Sequence, residues 1–230
     1  MKTLITGLAV FLILTNANAQ TVYVQGGLNL ANITTTNSGN TEENKLLPTF
    51  NVGFMGRFGL SKVVDLEAGL LFTGKGSKAE TFFNGGTDYV KTRFNPLYIE
   101  LPLNVVVTVP FNKTSASGFF FNAGPYVAVG IAGKSKVDTK FGPLTTSSTE
   151  DIKFANDDPF TSEQDDAAYD KLKRFDYGLN IGGGVKMKSV ILKANYGFGL
   201  AKINSTAGDN NANDKNKYRT LSISVGIPLN

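Results

Sequence analysis

The sequence predicts an all-β protein: an eight-stranded antiparallel up-and-down transmembrane β-barrel, preceded by a cleaved signal peptide. Three observations favour this fold class. Apolar and polar residues alternate with a period of two along eight segments, which is typical of strands with one apolar face. No apolar-face position in these segments is charged. Short and long connections between the segments alternate strictly, as they do in outer-membrane barrels.

The N-terminal segment has the pattern of a secretory signal peptide. Lys2 provides a positive charge, Leu4 to Leu14 is mostly apolar, and Ala17 and Ala19 form an A-x-A cleavage site. The apolar stretch is too short to span a bilayer as a helix, although an N-terminal membrane anchor stays an alternative. We therefore predict two parts, a signal peptide over 1–19 and an outer-membrane β-barrel domain over 20–230.

Most of the eight alternating segments reach the about 9–11 residues that a tilted strand needs to cross a bilayer. In the fourth segment, for example, every odd position from Leu97 to Val109 is aliphatic. After residue 20, no stretch is apolar and long enough to predict a transmembrane helix. The predicted strands cover 22–30, 50–60, 64–75, 97–109, 119–132, 175–187, 190–201 and 220–229.

The polar face of the predicted strands is rich in Gly and Asn, and its charges sum to zero. A water-facing surface normally carries more charge, whereas the narrow lumen of an eight-stranded barrel favours small residues and neutralising pairs. We therefore predict that the apolar face meets lipid and that the charged residues form a structural polar cluster in the lumen. These residues are Arg57, Asp65, Glu67, Lys75, Glu100, Asp176, Lys186 and Lys193.

The connections predict how the barrel is oriented. The short ones are expected to be periplasmic turns and the long ones extracellular loops, so that both termini are periplasmic. Lys202 and Arg219 are interpreted as loop residues, and a helical turn is expected around Asp165 to Arg174. The short connections are 61–63, 110–118 and 188–189, and the long ones are 31–49, 76–96, 133–174 and 202–219.

Composition excludes several function classes. The chain has no His, the commonest general base and metal ligand, and no Cys, which excludes disulfides and thiolate chemistry. A net charge of +4 is too small to indicate nucleic-acid binding. Gly69, Gly74 and Lys75 match part of a phosphate-binding loop, but Gly76 replaces the required Ser or Thr. We predict that the protein is not an enzyme and binds no cofactor, metal or nucleic acid.

Short motifs rich in Gly and aromatic residues mark most of the predicted strands. They are Gly27 to Asn32, Glu67 to Gly76, Tyr98 to Leu103, Ala123 to Tyr126, Phe175 to Leu179, Gly182 to Gly184 and Tyr196 to Leu200. With them the chain resembles the PorT-like outer-membrane β-barrel family of Bacteroidota-type bacteria, over essentially all of 20–230. The resemblance implies an eight-stranded outer-membrane barrel, without an assigned activity in most members. Many outer-membrane barrels end in an aromatic residue, whereas this chain ends in Asn230.

These observations predict an integral outer-membrane protein of a Gram-negative bacterium that has a plugged polar lumen. It is expected to act as a structural or interaction protein through its long extracellular loops. Expected partners are outer-membrane lipid and lipopolysaccharide, the barrel assembly machinery, and an envelope protein bound through the loops. Two alternatives stay open, a small gated pore and a soluble periplasmic barrel whose apolar interior binds a lipid-like ligand.

Overall fold

A computed structural model describes residues 20–37, 40–43, 45–112, 115, 117–155, 171–203 and 215–229. The predicted signal peptide, 1–19, lies outside the described residues. In the described part, no helix is long and apolar enough to span a membrane. The strands there are β1 (Gln20–Asn37), β2 (Asn40–Glu43), β3 (Leu47–Gly59), β4 (Val64–Gly74), β5 (Ser77–Phe83), β6 (Asp88–Pro110), β7 (Gly118–Phe141), β8 (Leu144–Asp151), β9 (Lys153–Ala155), β10 (Lys171–Lys173), β11 (Phe175–Lys186), β12 (Ile191–Gly199) and β13 (Lys215–Pro228).

Eight of these strands form a closed antiparallel ring. Their order around the ring is β1, β3, β4, β6, β7, β11, β12 and β13, and β13 pairs again with β1. Neighbours in the ring follow one another in the chain order of the long strands, which is an up-and-down topology. Each predicted strand corresponds to one strand of the ring, so the predicted eight-stranded barrel is confirmed.

The two faces of the ring are segregated as the alternation predicts. On the outer face, Leu28 is 68% exposed and Ile223 is 60% exposed, while on the inner face Glu67 and Asn29 are fully buried. A soluble barrel with an apolar interior requires the opposite arrangement. That alternative is therefore wrong, because the apolar side chains point away from the lumen.

The ring continues beyond its rim as a four-stranded sheet made of β5, the first part of β6, the last part of β7, and β8. The long connections predicted at 76–96 and 133–174 are thus largely strand, and β1 and β13 also extend beyond their predicted bounds. Polar residues lie on both faces of this extension, so its sequence lacks the apolar alternation on which the strand prediction depends.

Two local predictions on the loop side are wrong. Arg219 lies within β13 opposite Asn32 and donates hydrogen bonds to the carbonyls of Gly199 (2.8 Å) and Tyr218 (2.9 Å), whereas Lys202 lies outside any strand. These two hydrogen bonds give the Arg219 guanidinium polar partners beside the apolar band, so an arginine is accommodated within the strand.

The helical turn expected around 165–174 is also absent from its described part, because 171–173 form β10, parallel to β9. The N–H groups of Lys173 and Arg174 donate to the carbonyls of Ile203 and Ala155, both at 2.9 Å. Partners in other segments thus replace the bonds of a helix, and residues 165–170 lie outside the described part.

Gly76 joins β4 to β5 and explains the Gly74-Lys75-Gly76 motif structurally. Its φ of +122° is a backbone conformation that side chains disfavour, and a Cβ there would lie 1.9 Å from the carbonyl oxygen of Phe94. Strand β5 follows directly. The glycine therefore serves a close backbone approach at the rim.

Candidate functional site in the lumen and at the hairpin tips

A buried ionic cluster lies in the lumen near the short turns. We call it the turn-side cluster, and it consists of Tyr23, Arg57, Glu67 and Lys193. The Glu67 carboxylate accepts hydrogen bonds from Arg57 Nε (2.7 Å), the Tyr23 hydroxyl (2.7 Å) and Lys193 Nζ. The Arg57 guanidinium also lies 4.1 Å from the ring centre of Phe120. One carboxylate thus compensates two buried cations, which makes Glu67 the centre of the cluster.

A second ionic cluster lies further toward the long connections. We call it the loop-side cluster, and it consists of Lys75, Glu100, Tyr126 and Asp176. Lys75 Nζ lies 2.9 Å from Glu100 and 2.7 Å from Asp176, and the Tyr126 hydroxyl donates to Asp176 at 3.1 Å. The Tyr126 ring centre is 4.2 Å from Lys75 Nζ. Here one cation compensates two carboxylates.

The structure separates the eight predicted lumen residues into three groups. Six of them form the two clusters, with formal charges of +2 − 1 = +1 on the turn side and +1 − 2 = −1 on the loop side. The other two, Asp65 and Lys186, are half-buried and interact electrostatically, with no ion pair within 4.0 Å among the described residues. In that part of the chain, no three carboxylates are arranged to hold a metal ion.

A cavity of about 40 Å³ lies between the two clusters. Lys75 and Glu100 line one side of it and Lys193 lines another, together with Gln25 and Asn104. The side-chain oxygens of Gln25 and Asn104 are buried and accept no hydrogen bond from the described residues. Since one water needs about 10–15 Å³, a few water molecules fit in a polar cavity of this size.

Apolar residues from outside the ring cover the loop side of the lumen. We call them the apolar lid, and they are Ile152, Phe154, Leu172 and Ile203. Leu172 and Ile203 are buried against the inward-pointing tyrosines, and Ile152 and Phe154 pack against the same group. The Phe154 ring meets Tyr98 edge-on at 5.8 Å between ring centres. The lid thus rests on the aromatic rings that surround the loop-side cluster.

Two hairpin tips meet at the end of the four-stranded extension. We call the exposed apolar residues there the tip patch, and they are Phe82, Phe83, Phe141 and Leu144. The rings of Phe83 and Phe141 stack with centres 6.2 Å apart, and Leu144 is 74% exposed. The patch therefore joins the β5–β6 and β7–β8 hairpins into one surface.

The Asp88 carboxylate also joins these tips, and its protonation should loosen them. It accepts a hydrogen bond from the Gly142 N–H (2.7 Å) and another from Asn84. Both bonds hold the pKa of Asp88 below its ordinary value, and the bond from Gly142 has the larger effect. Because the folded state lowers this pKa, the ionised carboxylate stabilises the folded tips at any pH above the ordinary carboxyl pKa. That stabilisation is lost as the pH falls through the lowered pKa of Asp88.

Hydrogen exchange of the Gly142 amide measures this effect. After correction for the intrinsic exchange rate, we expect the protection of this amide at about pH 5 to equal that at neutral pH. At pH values under about 4 the protection should decrease. Full protection at about pH 2 would show that the carboxylate does not hold the tips together.

The sequence pattern indicated the charged residues of the inner face but did not predict the tip patch or the apolar lid. One signal for the first hairpin was present, because Asn84-Gly85-Gly86 is a typical hairpin turn between β-prone flanks. In the structure these residues form a 3-10 turn with Gly85 at a φ of 66°. No comparable signal marks the lid, whose members are spread over two connections, 133–174 and 202–219.

A match over most of the chain identifies the family to which it belongs. Residues 18–205 match the model of a family described as "Outer membrane protein beta-barrel domain". No curated protein sequence matches the chain. Among solved structures it is similar to Ail, the attachment invasion locus protein of Yersinia pestis, with 14% identity, a TM-score of 0.41, and coverage of 91% of this chain and 98% of Ail.

Neisserial surface protein A is another similar structure, with 11% identity, a TM-score of 0.41, and coverage of 91% of this chain and 99% of the other. The translocator domain of the autotransporter NalP from Neisseria meningitidis is 9% identical, with a TM-score of 0.33 and coverage of 98% of this chain and 95% of that domain. The family model spans well over half of the chain. This chain therefore belongs to the outer membrane protein beta-barrel domain family and is a barrel of the Gram-negative outer membrane.

Proposed function

We propose that the protein is a structural and interaction barrel whose lumen is plugged and whose contact surface is the tip patch. The observation that carries this proposal is the exposed, stacked aromatic surface where two hairpin tips are held together. In this proposal the ring anchors the chain in the membrane and the four-stranded extension holds the contact surface away from it. No enzymatic step is part of the proposed function.

The two ionic clusters and the apolar lid support the plugged lumen. Each cluster neutralises most of its own charge with buried groups at 2.7–2.9 Å, and the lid packs over the tyrosines beside the loop-side cluster. An eight-stranded barrel is just wide enough for its own side chains. A small gated pore is the second candidate, supported by the polar cavity between the clusters.

Planar-bilayer recordings distinguish the plug from the pore. We expect no steady discrete openings, because an ion would have to displace two buried ion clusters and the lid. Lys193→Ala is the informative variant, since Lys193 both pairs with Glu67 and lines the cavity. Steady openings whose conductance changes in Lys193→Ala would favour the gated pore instead.

The tip patch supports a protein partner. Aromatic side chains are enriched at protein interfaces, and all four residues of the patch are exposed in the chain alone. A contiguous exposed apolar surface is a usual mark of an interaction site. We propose that an envelope protein binds there, and that the barrel assembly machinery recognises the chain during insertion.

Exchange of the stacked pair should abolish this contact. In Phe83→Ser/Phe141→Ser, we expect the yield of a discrete photo-crosslinked adduct from position 82, measured on intact cells, to fall at least about tenfold, because hot-spot aromatics carry most of an interface's binding energy. Thr145→Ala/Thr149→Ala on exposed β8 is the matched control and should leave the adduct unchanged. Equal adduct yields from all three proteins would contradict a contact at the patch.

We also propose that residues 1–19 are removed as a signal peptide and that both termini are periplasmic. Protease added to intact cells tests the orientation, since it should cut within 133–174 and spare a C-terminal tag. Loss of the tag without cleavage in 133–174 would show that the termini face the outside of the cell and the long connections face the periplasm.

Within the family, we propose that the chain belongs to the PorT-like branch of Bacteroidota-type bacteria. The motif from Tyr98 to Leu103 supports this placement. Its Glu100 pairs with Lys75 in the loop-side cluster. Its Tyr98 hydroxyl lies 3.2 Å from that of Tyr218, beside that cluster. We expect other chains of that branch to carry Lys or Arg at the position of Lys75.

A further inference from the structure

The outward face of the four-stranded extension is continuous with the lipid-facing surface of the barrel. Side chains alternate along β6, so Asn95 and Arg93 lie on the same face as Leu97. The bulge on β7 shifts the register by one, which places Lys134 opposite Asn95 and Lys136 opposite Arg93. On β6 and β7 the first side chains above the apolar band are therefore polar or basic, while on β8 Asp151 lies opposite Lys134 in the register.

Three cations on this face form a cluster that we call the basic patch: Lys78, Arg93 and Lys134. Lys78 of β5 lies opposite Arg93 of β6. Lys134 of β7 lies opposite Asn95, two residues nearer the barrel than Arg93. Arg93 and Lys134 are exposed and Lys78 is half-buried. Among the described residues, no carboxylate lies within ion-pair distance of any of the three, whereas their neighbour Lys136 pairs with Asp138 at 3.1 Å.

The height of the basic patch matches the headgroup layer of the membrane. Lys134 and Arg93 lie two and four residues beyond the Leu97 pair, or about 7 and 13 Å along the strand. A strand tilt of about 40° reduces these heights to about 5 and 10 Å. The headgroup layer adds about 5–8 Å on each side of the hydrocarbon core, and long basic side chains reach several ångströms along an apolar surface.

We propose that the basic patch binds the phosphate groups of lipopolysaccharide in the outer leaflet. This inference rests on the proposed orientation, in which the extension lies outside the cell. The Arg93 guanidinium matches a phosphate in a two-pronged geometry, and the ammonium groups of Lys78 and Lys134 add compact charges on either side of it. Neighbouring strands are about 4.8 Å apart, so the three cations converge on one phosphorylated headgroup.

Titration with lipid A tests the proposal on the protein purified in detergent, with bound lipid counted by native mass spectrometry. Lys78→Gln/Arg93→Gln/Lys134→Gln should weaken binding of bisphosphorylated lipid A at least about tenfold, since each basic residue near an anionic lipid surface contributes separately. Lys62→Gln/Lys140→Gln/Lys188→Gln removes the same charge elsewhere and should change it less than about twofold. Dephosphorylated lipid A should bind the native protein as weakly as it binds the basic-patch variant.

Equal losses in both triple variants would overturn the proposal, because they would indicate attraction by net charge alone. Equal binding of phosphorylated and dephosphorylated lipid A would overturn it as well. If a soluble sulfated oligosaccharide binds the basic patch as tightly as lipid A, the proposal is overturned in favour of a soluble polyanion as the ligand. Protease shaving of intact cells reads the orientation separately, so failure of the basic patch and failure of the proposed function are distinguishable.

Discussion

Glu67→Gln should destabilise the barrel by about 3–5 kcal/mol, the cost of breaking a buried ion pair by removing one partner. Glu67 is fully buried and accepts hydrogen bonds from Arg57, Lys193 and Tyr23. The neutral amide keeps the shape but leaves two buried cations without a counter-charge. The free energy of unfolding, measured by urea titration of the protein in lipid vesicles, reports the loss directly.

Two further variants separate this effect from a general loss of charge. Asp65→Asn removes a half-buried carboxylate near the same turns and should cost less than about 1 kcal/mol, because Asp65 is partly solvated and makes no close ion pair among the described residues. Replacing Arg57, Glu67 and Lys193 together by Met, Leu and Met should recover most of the loss, because apolar residues of similar volume often replace a buried ion group without penalty. A Glu67→Gln protein as stable as the native one would mean that water reaches both cations.

Leu101→Arg is the second large effect that we expect. Leu101 is 48% exposed on the outward face of β6, one outward position from the middle of the apolar run Leu97 to Val109. An arginine facing lipid near the bilayer midplane costs about 2–4 kcal/mol. The same vesicle-unfolding measurement should detect this cost, because the folded barrel holds the side chain in hydrocarbon while the unfolded chain does not.

Thr145→Arg is the matched control for Leu101→Arg. Thr145 is exposed on β8, beyond the apolar band, and an arginine there should change the free energy of unfolding by less than about 0.5 kcal/mol. If Leu101→Arg is no more costly than Thr145→Arg, the outward face of β6 does not lie in hydrocarbon.

The barrel itself was predictable from the sequence because one face of every strand meets a single solvent. Leu97 to Val109 shows this best, since each odd residue is aliphatic and the structure turns those side chains outward. Strand identity follows from this one pattern. The strand order and the direction of the two faces were predicted from the alternating short and long connections and from the neutral polar face rich in Gly and Asn. The alternation also predicted which charged residues share the lumen face.

The pairing of the lumen charges was not predictable. Glu67 meets Lys193 from the other side of the ring, and Lys75 meets Asp176 across more than a hundred residues. Such contacts depend on the tilt and stagger of the closed barrel, which alternation within one strand does not contain. Hence the sequence indicates one neutral cluster, whereas the structure has two of opposite formal charge.

The extension and the apolar lid were missed for a different reason. Strands β5 and β8 carry Lys, Glu, Ser or Thr on both of their faces, so no apolar period marks them. Phe154 and Leu172 look like isolated apolar residues in long polar connections. Only the closed ring gives them a buried surface to pack against.

Single-cysteine labelling along β13 tests the central claim most directly, since the chain has no Cys of its own. A fluorophore is attached in turn at Ser222, Ile223, Ser224 and Val225 in variants that fold into vesicles, and its quenching by bromine on the lipid acyl chains is measured. Strong quenching is expected at 223 and 225 and weak quenching at 222 and 224, because only the odd positions face outward. Strong quenching at the even positions and none at the odd ones would contradict a barrel whose apolar face meets lipid.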